Sequence, residues 1–269
     1  MSLRIEACFA QLRAEGRTGV IPYVPVGFPT LAETPALARA AIEGGACLLE
    51  LGVPFSDPLA DGATIQRASG VALEQGVGMA DCLEVARALR VQGAGETPLV
   101  FMGYYNTFLS YGLDRFCRDA AAAGVDGMIV VDMPPEEAAA FLAAAHANGL
   151  HLIFLLAPTS TTDRERRVAA VAGGFIYCVS LAGVTGARSR LPDYLPDFIA
   201  GIRRQTPLPL AIGFGISQRA HVEAVGELAE AAVIGSALVD LIERTGPGQR
   251  PAAVRAFVAD LCGPGAPAA

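Results

Sequence analysis

The chain has 269 residues, 52% of them hydrophobic and 17% charged, with a formal net charge of −7. That length suits one α/β barrel or two smaller domains, and no apolar run approaches the roughly 20 residues that a membrane span needs. The acidic balance and the lack of any basic run argue against nucleic acid as a partner, yet an anionic substrate can still be held by local dipoles.

Residues 3–14 read as a helix ahead of any strand. Residues 20–26 (VIPYVPV) form a first strand, broken by GFP. TLAE at 30–33 has the pattern of a capping box, so a helix is expected from Thr30 to about Gly44. A second strand covers 47–51, and helices follow near 64–74 and 79–91. A third strand covers 98–102, then a helix over 113–123 that Gly124 ends. The fourth strand, 127–131 (GMIVV), leads to a helix starting at Pro135, with Glu136 and Glu137 in its first turn. Strand five is 151–155, and Thr162 with Glu165 boxes the next helix. Strand six (175–180, FIYCVS) precedes a long loop and a helix to about Arg204. Strand seven is 208–213 with Ser217 capping its helix, strand eight is 231–234, and the last helices follow Ser236 and span 251–261.

These strands are continuous apolar runs rather than alternating ones, as expected when both faces are buried. Eight strand–helix units close most simply into a (β/α)8 TIM barrel, here with an extra N-terminal helix. The expectation is one barrel domain over 1–269, with 262–269 as a disordered tail. An open doubly wound sheet would carry a glycine fingerprint after strand one, and GFPT matches it poorly.

The N-terminus is amphipathic and charged without an apolar signal core, so a soluble cytoplasmic protein is expected. The six cysteines are scattered with no CxxC pair, which fits reduced thiols. All twenty basic residues are arginine. Without lysine the chain can form neither a Schiff base through a lysine side chain nor its own pyridoxal phosphate linkage. No His/Asp/Glu cluster has metal-ligand spacing; His146, His151 and His221 read as structural.

Chemistry concentrates in 48–67, LLELGVPFSDPLADGATIQR. Glu50 ends a buried strand, where partial desolvation raises a carboxyl toward general-acid use. Asp61 lies where the following loop turns back over the barrel mouth, or else it caps the next helix. Asp57 ranks below both. Tyr177, in strand six, is a barrel-mouth hydroxyl or a core residue; Ser180, Tyr104 and Asn106 are weaker candidates. Glycine loops after strands six, seven and eight (Thr185–Gly186, Gly213–Phe214–Gly215 and Gly235–Ser236) suit a phosphate held by backbone N–H groups and a helix dipole.

ELGVPFSDPLADG with TIQRA, Asp132–Met133–Pro134, AGVTGAR, GFGIS and IGSA closely resemble, in order, the tryptophan synthase α subunit family, in register from 9 to about 238. The resemblance implies a (β/α)8 lyase that cleaves indole-3-glycerol phosphate to indole and glyceraldehyde 3-phosphate. It implies Glu50 as the acid/base at indole C3, Asp61 as the carboxylate pairing with the indole N–H, and Tyr177 near Glu50. Tyr23, Ile65, Met102 and Phe214 fall where the indole pocket is lined. Gly186, Gly215, Gly235 and Ser236 fall at phosphate positions, and Thr185 falls on a mobile loop. No cofactor is implied in this chain; pyridoxal phosphate is expected in a β-subunit partner, in an α2β2 assembly contacted through loop 54–61 and turn 132–134. Phe28 and Leu181–Ala182 depart from the family forms that carry an acid and a basic residue there. Two other readings are a stand-alone indole-releasing lyase and a catalytically inert allosteric barrel subunit.

Overall fold

Runs of Val, Ile, Leu and Ala bounded by glycine and proline make short strands that are buried on both faces. The structure, a computed structural model, describes residues 3–179, 191–213 and 215–263. Its strands are β1 (Gly19–Pro25), β2 (Leu49–Gly52), β3 (Leu99–Gly103), β4 (Gly127–Val130), β5 (His151–Leu156), β6 (Ile176–Val179), β7 (Leu210–Gly213) and β8 (Ala231–Ile234). Each pairs in parallel with the next, and β1 also pairs with β8, so the sheet closes into a barrel. The TIM-barrel expectation is borne out, including the N-terminal helix.

The helices are α1 (Arg4–Glu15), α2 (Thr34–Glu43), α3 (Ala63–Glu74), α4 (Met79–Val91), α5 (Tyr105–Tyr111), α6 (Leu113–Ala122), α7 (Ala139–Ala147), α8 (Thr162–Val171), α9 (Leu195–Arg203), α10 (Arg219–Gly226), α11 (Ser236–Arg244) and α12 (Arg250–Cys262). Among the described residues no helix is long and apolar enough to cross a membrane.

The barrel is filled from one end. Ile5, Phe9 and Leu12 lie at helical spacing on one stripe of α1. All three are buried, and they join Ile21, Leu48, Val100, Ile129, Ile153 and Phe175 in one cluster. The Phe9 and Phe175 rings sit 5.6 Å apart. A polar knot fastens this end: the buried Asp126 carboxylate accepts from Arg4 (3.0 Å), Arg90 (2.8 Å) and the Leu99 N–H (2.8 Å). Those inward residues set the parity of the strands. Residues two positions further on, including Tyr23, Glu50, Met102 and Tyr177, with Gly213 leaving its place empty, make the next layer toward the C-terminal mouth.

Several boundaries differ from the sequence expectation. TLAE does bond locally, the Glu33 N–H donating to the Thr30 hydroxyl (3.3 Å), but it closes a turn, and α2 begins at Thr34. Thr34 is drawn inward, its hydroxyl accepting from the Gly27 N–H (3.0 Å) and donating to the Thr30 carbonyl (3.1 Å). The second strand begins at Leu49 rather than Cys47. Pro135 opens a 3-10 turn (Pro135–Glu137) before α7. Thr161, not Thr162, caps α8 by accepting from the Arg164 N–H. Ser217 does not cap α10; Gln218 holds that position, and the Ser217 N–H donates to His221 Nδ1 (3.3 Å). Helix α5 was not foreseen. The expected tail from 262 is shortened, because Cys262 belongs to α12; residues 264–269 lie outside the described residues.

Candidate active site

Glu50 occupies the second position of β2, beside Tyr23 of β1 and Val100 of β3. It is 1% exposed, and neither carboxyl oxygen has a hydrogen-bond partner among the described residues. Leaving a buried carboxylate unpaired is expensive, so the group keeps its proton. Burial first, and the nearby Asp61 charge second, push it up to about 8.

Asp61 is reached by a loop that folds back over the mouth. The Tyr104 hydroxyl donates to Asp61 Oδ2 (3.1 Å) and accepts from the Ala60 N–H (3.0 Å). Gln66 of α3 donates to the Asp61 carbonyl (2.9 Å), and Ser69 bonds the Phe55 N–H and carbonyl, both at 2.9 Å. The Phe55 and Tyr104 rings stack at 4.8 Å. Burial raises the Asp61 carboxyl above its usual value, opposed by the Tyr104 hydrogen bond. The capping alternative for Asp61 fails: α3 is preceded by Gly62 with no side-chain cap. Asp57 is exposed and accepts from its neighbour Ser56 (2.6 Å), away from the buried pair.

Tyr23 and Tyr177 complete the wall. Burial raises both hydroxyls well above their usual value, and both feel the Glu50 and Asp61 charges. Each leans across a glycine on the neighbouring strand. A methyl on Gly52 would collide with the Tyr23 hydroxyl, and one on Gly213 would sit 2.5 Å from the Tyr177 hydroxyl. These two inward positions must be vacant for the rings to fit.

At the other side of the mouth, Gly235 precedes α11 and Ser236 is its first residue. The Ser236 and Ala237 amides open the helix and form the positive end of its dipole, while the Leu238 N–H already donates to the Gly235 carbonyl (2.9 Å). Ile65 of α3 approaches the same place, its Cδ1 4.0 Å from where a Gly235 Cβ would be. Gly215 is exposed with φ +42°, a conformation that suits glycine. Met102 is half-buried at the end of β3. Ser180, Thr185, Gly186, Phe214 and Leu181–Ala182 lie outside the described residues. Phe28 is 3% exposed and packs into the outer core. His151 is at the closed end, with Nε2 3.0 Å from Glu6.

Tyr104 is the residue that sequence reasoning undervalued. Nothing local marks it. Its two partners lie 43 and 44 positions away and reach it only when the loop folds back.

The family model described as tryptophan synthase alpha chain matches residues 9–261. A tryptophan synthase alpha chain of Roseiflexus sp. (strain RS-1) is 53% identical over 260 residues, covering 97% of this chain and 99% of the relative. One of Chloroflexus aggregans is 50% identical over 258 residues, covering 96% of each chain. Among solved structures, Mycobacterium tuberculosis tryptophan synthase superposes with a TM-score of 0.88 at 36% identity, covering 96% of both chains. The parallel barrel, its buried carboxyl within β2 and these full-length matches agree: this chain belongs to the tryptophan synthase alpha chain family.

Proposed function

We propose that the chain cleaves indole-3-glycerol phosphate to indole and glyceraldehyde 3-phosphate as the alpha subunit of tryptophan synthase. The observation that carries this reading is Glu50, a carboxyl buried without a partner among the described residues and still protonated at neutral pH. Glu50 delivers its proton to indole C3, which turns the ring into an iminium with its positive charge at nitrogen. Asp61, held by Tyr104, pairs with the ring N–H and stabilises that charge. A base then takes the proton of the glycerol hydroxyl next to the ring. The carbonyl of the aldehyde forms, the C–C bond breaks, and its electron pair returns to the ring and neutralises the iminium. The substrate thus supplies the electron sink that a lysine Schiff base provides elsewhere, which suits a chain without lysine.

Tyr23, Tyr177, Ile65, Met102 and Phe214 shape the slot for the flat ring. The family resemblance assigns the phosphate to the backbone amides of Gly186, Gly215, Gly235 and Ser236 and the neighbouring Thr185; of these, Gly215, Gly235 and Ser236 are among the described residues. This division supports a single functional barrel domain that needs no cofactor of its own. A β subunit carrying pyridoxal phosphate is the partner, in an α2β2 assembly in the cytoplasm. Leu59, 89% exposed beside the catalytic loop, supports docking on this face.

The test is indole release from indole-3-glycerol phosphate, with and without a β subunit, by the wild type and by Glu50→Gln. The expected result is a loss of roughly 10²–10⁴-fold in Glu50→Gln. Undiminished activity in that variant overturns the mechanism; no activity even with the partner indicates an inert scaffold, and full activity without it a stand-alone lyase.

A further inference from the structure

We propose that Cys8 of α1 and Cys47 at the foot of β2 form a reversible dithiol that exchanges with small-molecule disulfides and closes into an intramolecular bridge at the sealed end of the barrel. The two residues meet although 39 positions separate them: Cys8 Sγ donates to the Cys47 carbonyl at 3.1 Å. Both are half-buried, and both line a cavity of about 960 Å³ that opens to solvent between α1 and the strand feet. Their approach is built in. Cys8 and Leu12 are one turn apart on the face of α1 that meets the barrel, and a methyl on Gly19 would lie 2.6 Å from Cys47 Sγ and 2.7 Å from Leu12. Glycine at that position lets helix and thiol dock together.

The exchange balances as follows. Cys8 releases its thiol proton and its sulfur attacks a disulfide RSSR; the S–S bond breaks and RS⁻ leaves, taking up a proton as RSH. Cys47 then releases its proton and attacks the Cys8 sulfur of the mixed disulfide, expelling a second RSH. The chain is oxidised by two electrons and RSSR is reduced to two RSH. Contact with Cys8 and burial push the Cys47 thiol up, which suits it to the resolving rather than the attacking role. A third thiol, Cys262, lines the same cavity but is turned to the Gly45 carbonyl (3.3 Å) and pushed up to about 11 by burial.

The full-length protein is incubated with oxidised glutathione, remaining thiols are blocked, and the chain is cut after arginine. Cys8, Cys47 and Cys262 then fall on separate peptides, each with no other cysteine. The expected product links the Cys8 and Cys47 peptides, with Tm raised by about 10 °C and restored by dithiothreitol. Cys8→Ser and Cys47→Ser should each lose both the link and the Tm rise. Glutathione remaining on either cysteine without a bridge, a bridge to Cys262, or no reaction would each overturn the proposal; peptide mapping of the wild type decides among them even if a variant fails to fold.

Discussion

Glu50 destabilises the barrel that houses it. Its usual value is 4.5, and in the fold it rises to about 8. Between those values the folded chain holds a proton that the unfolded chain releases, so this group's contribution to stability falls as pH rises through the window. Glu50→Gln is therefore expected to unfold at an equal or higher urea midpoint than the wild type at about pH 8.5. For the same reason kcat/KM should decline above about pH 8, as the acid form is lost. In the proposed mechanism Asp61 works in the opposite sense, because there it must be ionised to meet a positive ring. The Tyr104 hydrogen bond lowers its carboxyl. Tyr104→Phe should move the acidic limb of kcat/KM to higher pH and reduce the neutral rate by roughly tenfold or more, the worth of one hydrogen bond to a charged group. Gly213→Ala probes the ring slot: its new methyl meets the Tyr177 hydroxyl at 2.5 Å. Activity should fall while the circular dichroism spectrum holds, and Tyr177→Phe in the same chain should restore part of it, as expected of touching residues.

The elements divide by how locally they are encoded. Helix α4 and strand β8 begin and end where the apolar pattern places them, because each buries a continuous stripe or run. Helix α5 was invisible because its start depends on a distant residue. The Asp132 carboxylate accepts from the Tyr105 N–H at 2.7 Å across 27 positions, and no local cap announces it. The Ser217 error has the same origin: its hydroxyl type suits a cap, but His221, one helical turn on, takes its backbone N–H. Within the site, the strand parity and the SDPLADG loop made Glu50 and Asp61 readable. The tyrosine fastening the loop, Tyr104, stood only among the weaker candidates, since it arrives from another strand. Helix α1 supplies the clearest energetic test at this scale. Phe9, 1% exposed at the barrel end, should cost about 3–5 kcal/mol when replaced by Ala, read from urea unfolding with little change in kcat. Asp126→Asn, at the centre of the Arg4–Arg90 knot, should cost a comparable few kcal/mol.

Across the whole molecule the two barrel ends have separate duties. The closed end carries aromatic packing, the Asp126 knot and the cysteine pair, and the open end carries the acids and the glycine amides. A strut crosses the open end. Arg67 of α3 holds Glu243 of α11 at 3.0 and 2.7 Å, and Thr64 bonds Asp240 at 3.2 Å. It ties the helix following the Asp61 loop to the helix proposed to hold the phosphate at its N-terminus. These groups are largely exposed, so Arg67→Ala should leave the urea midpoint nearly unchanged.

The plug formed by α1 also governs traffic. With Ile5, Phe9 and Leu12 filling the far end, the barrel is a cul-de-sac rather than a conduit. A small apolar product made beside Glu50 has no rear exit, so it must depart through the doorway by which its precursor entered. Any protein that collects this product without losing it to water must sit across that doorway, and while seated there it also controls when the next substrate is admitted.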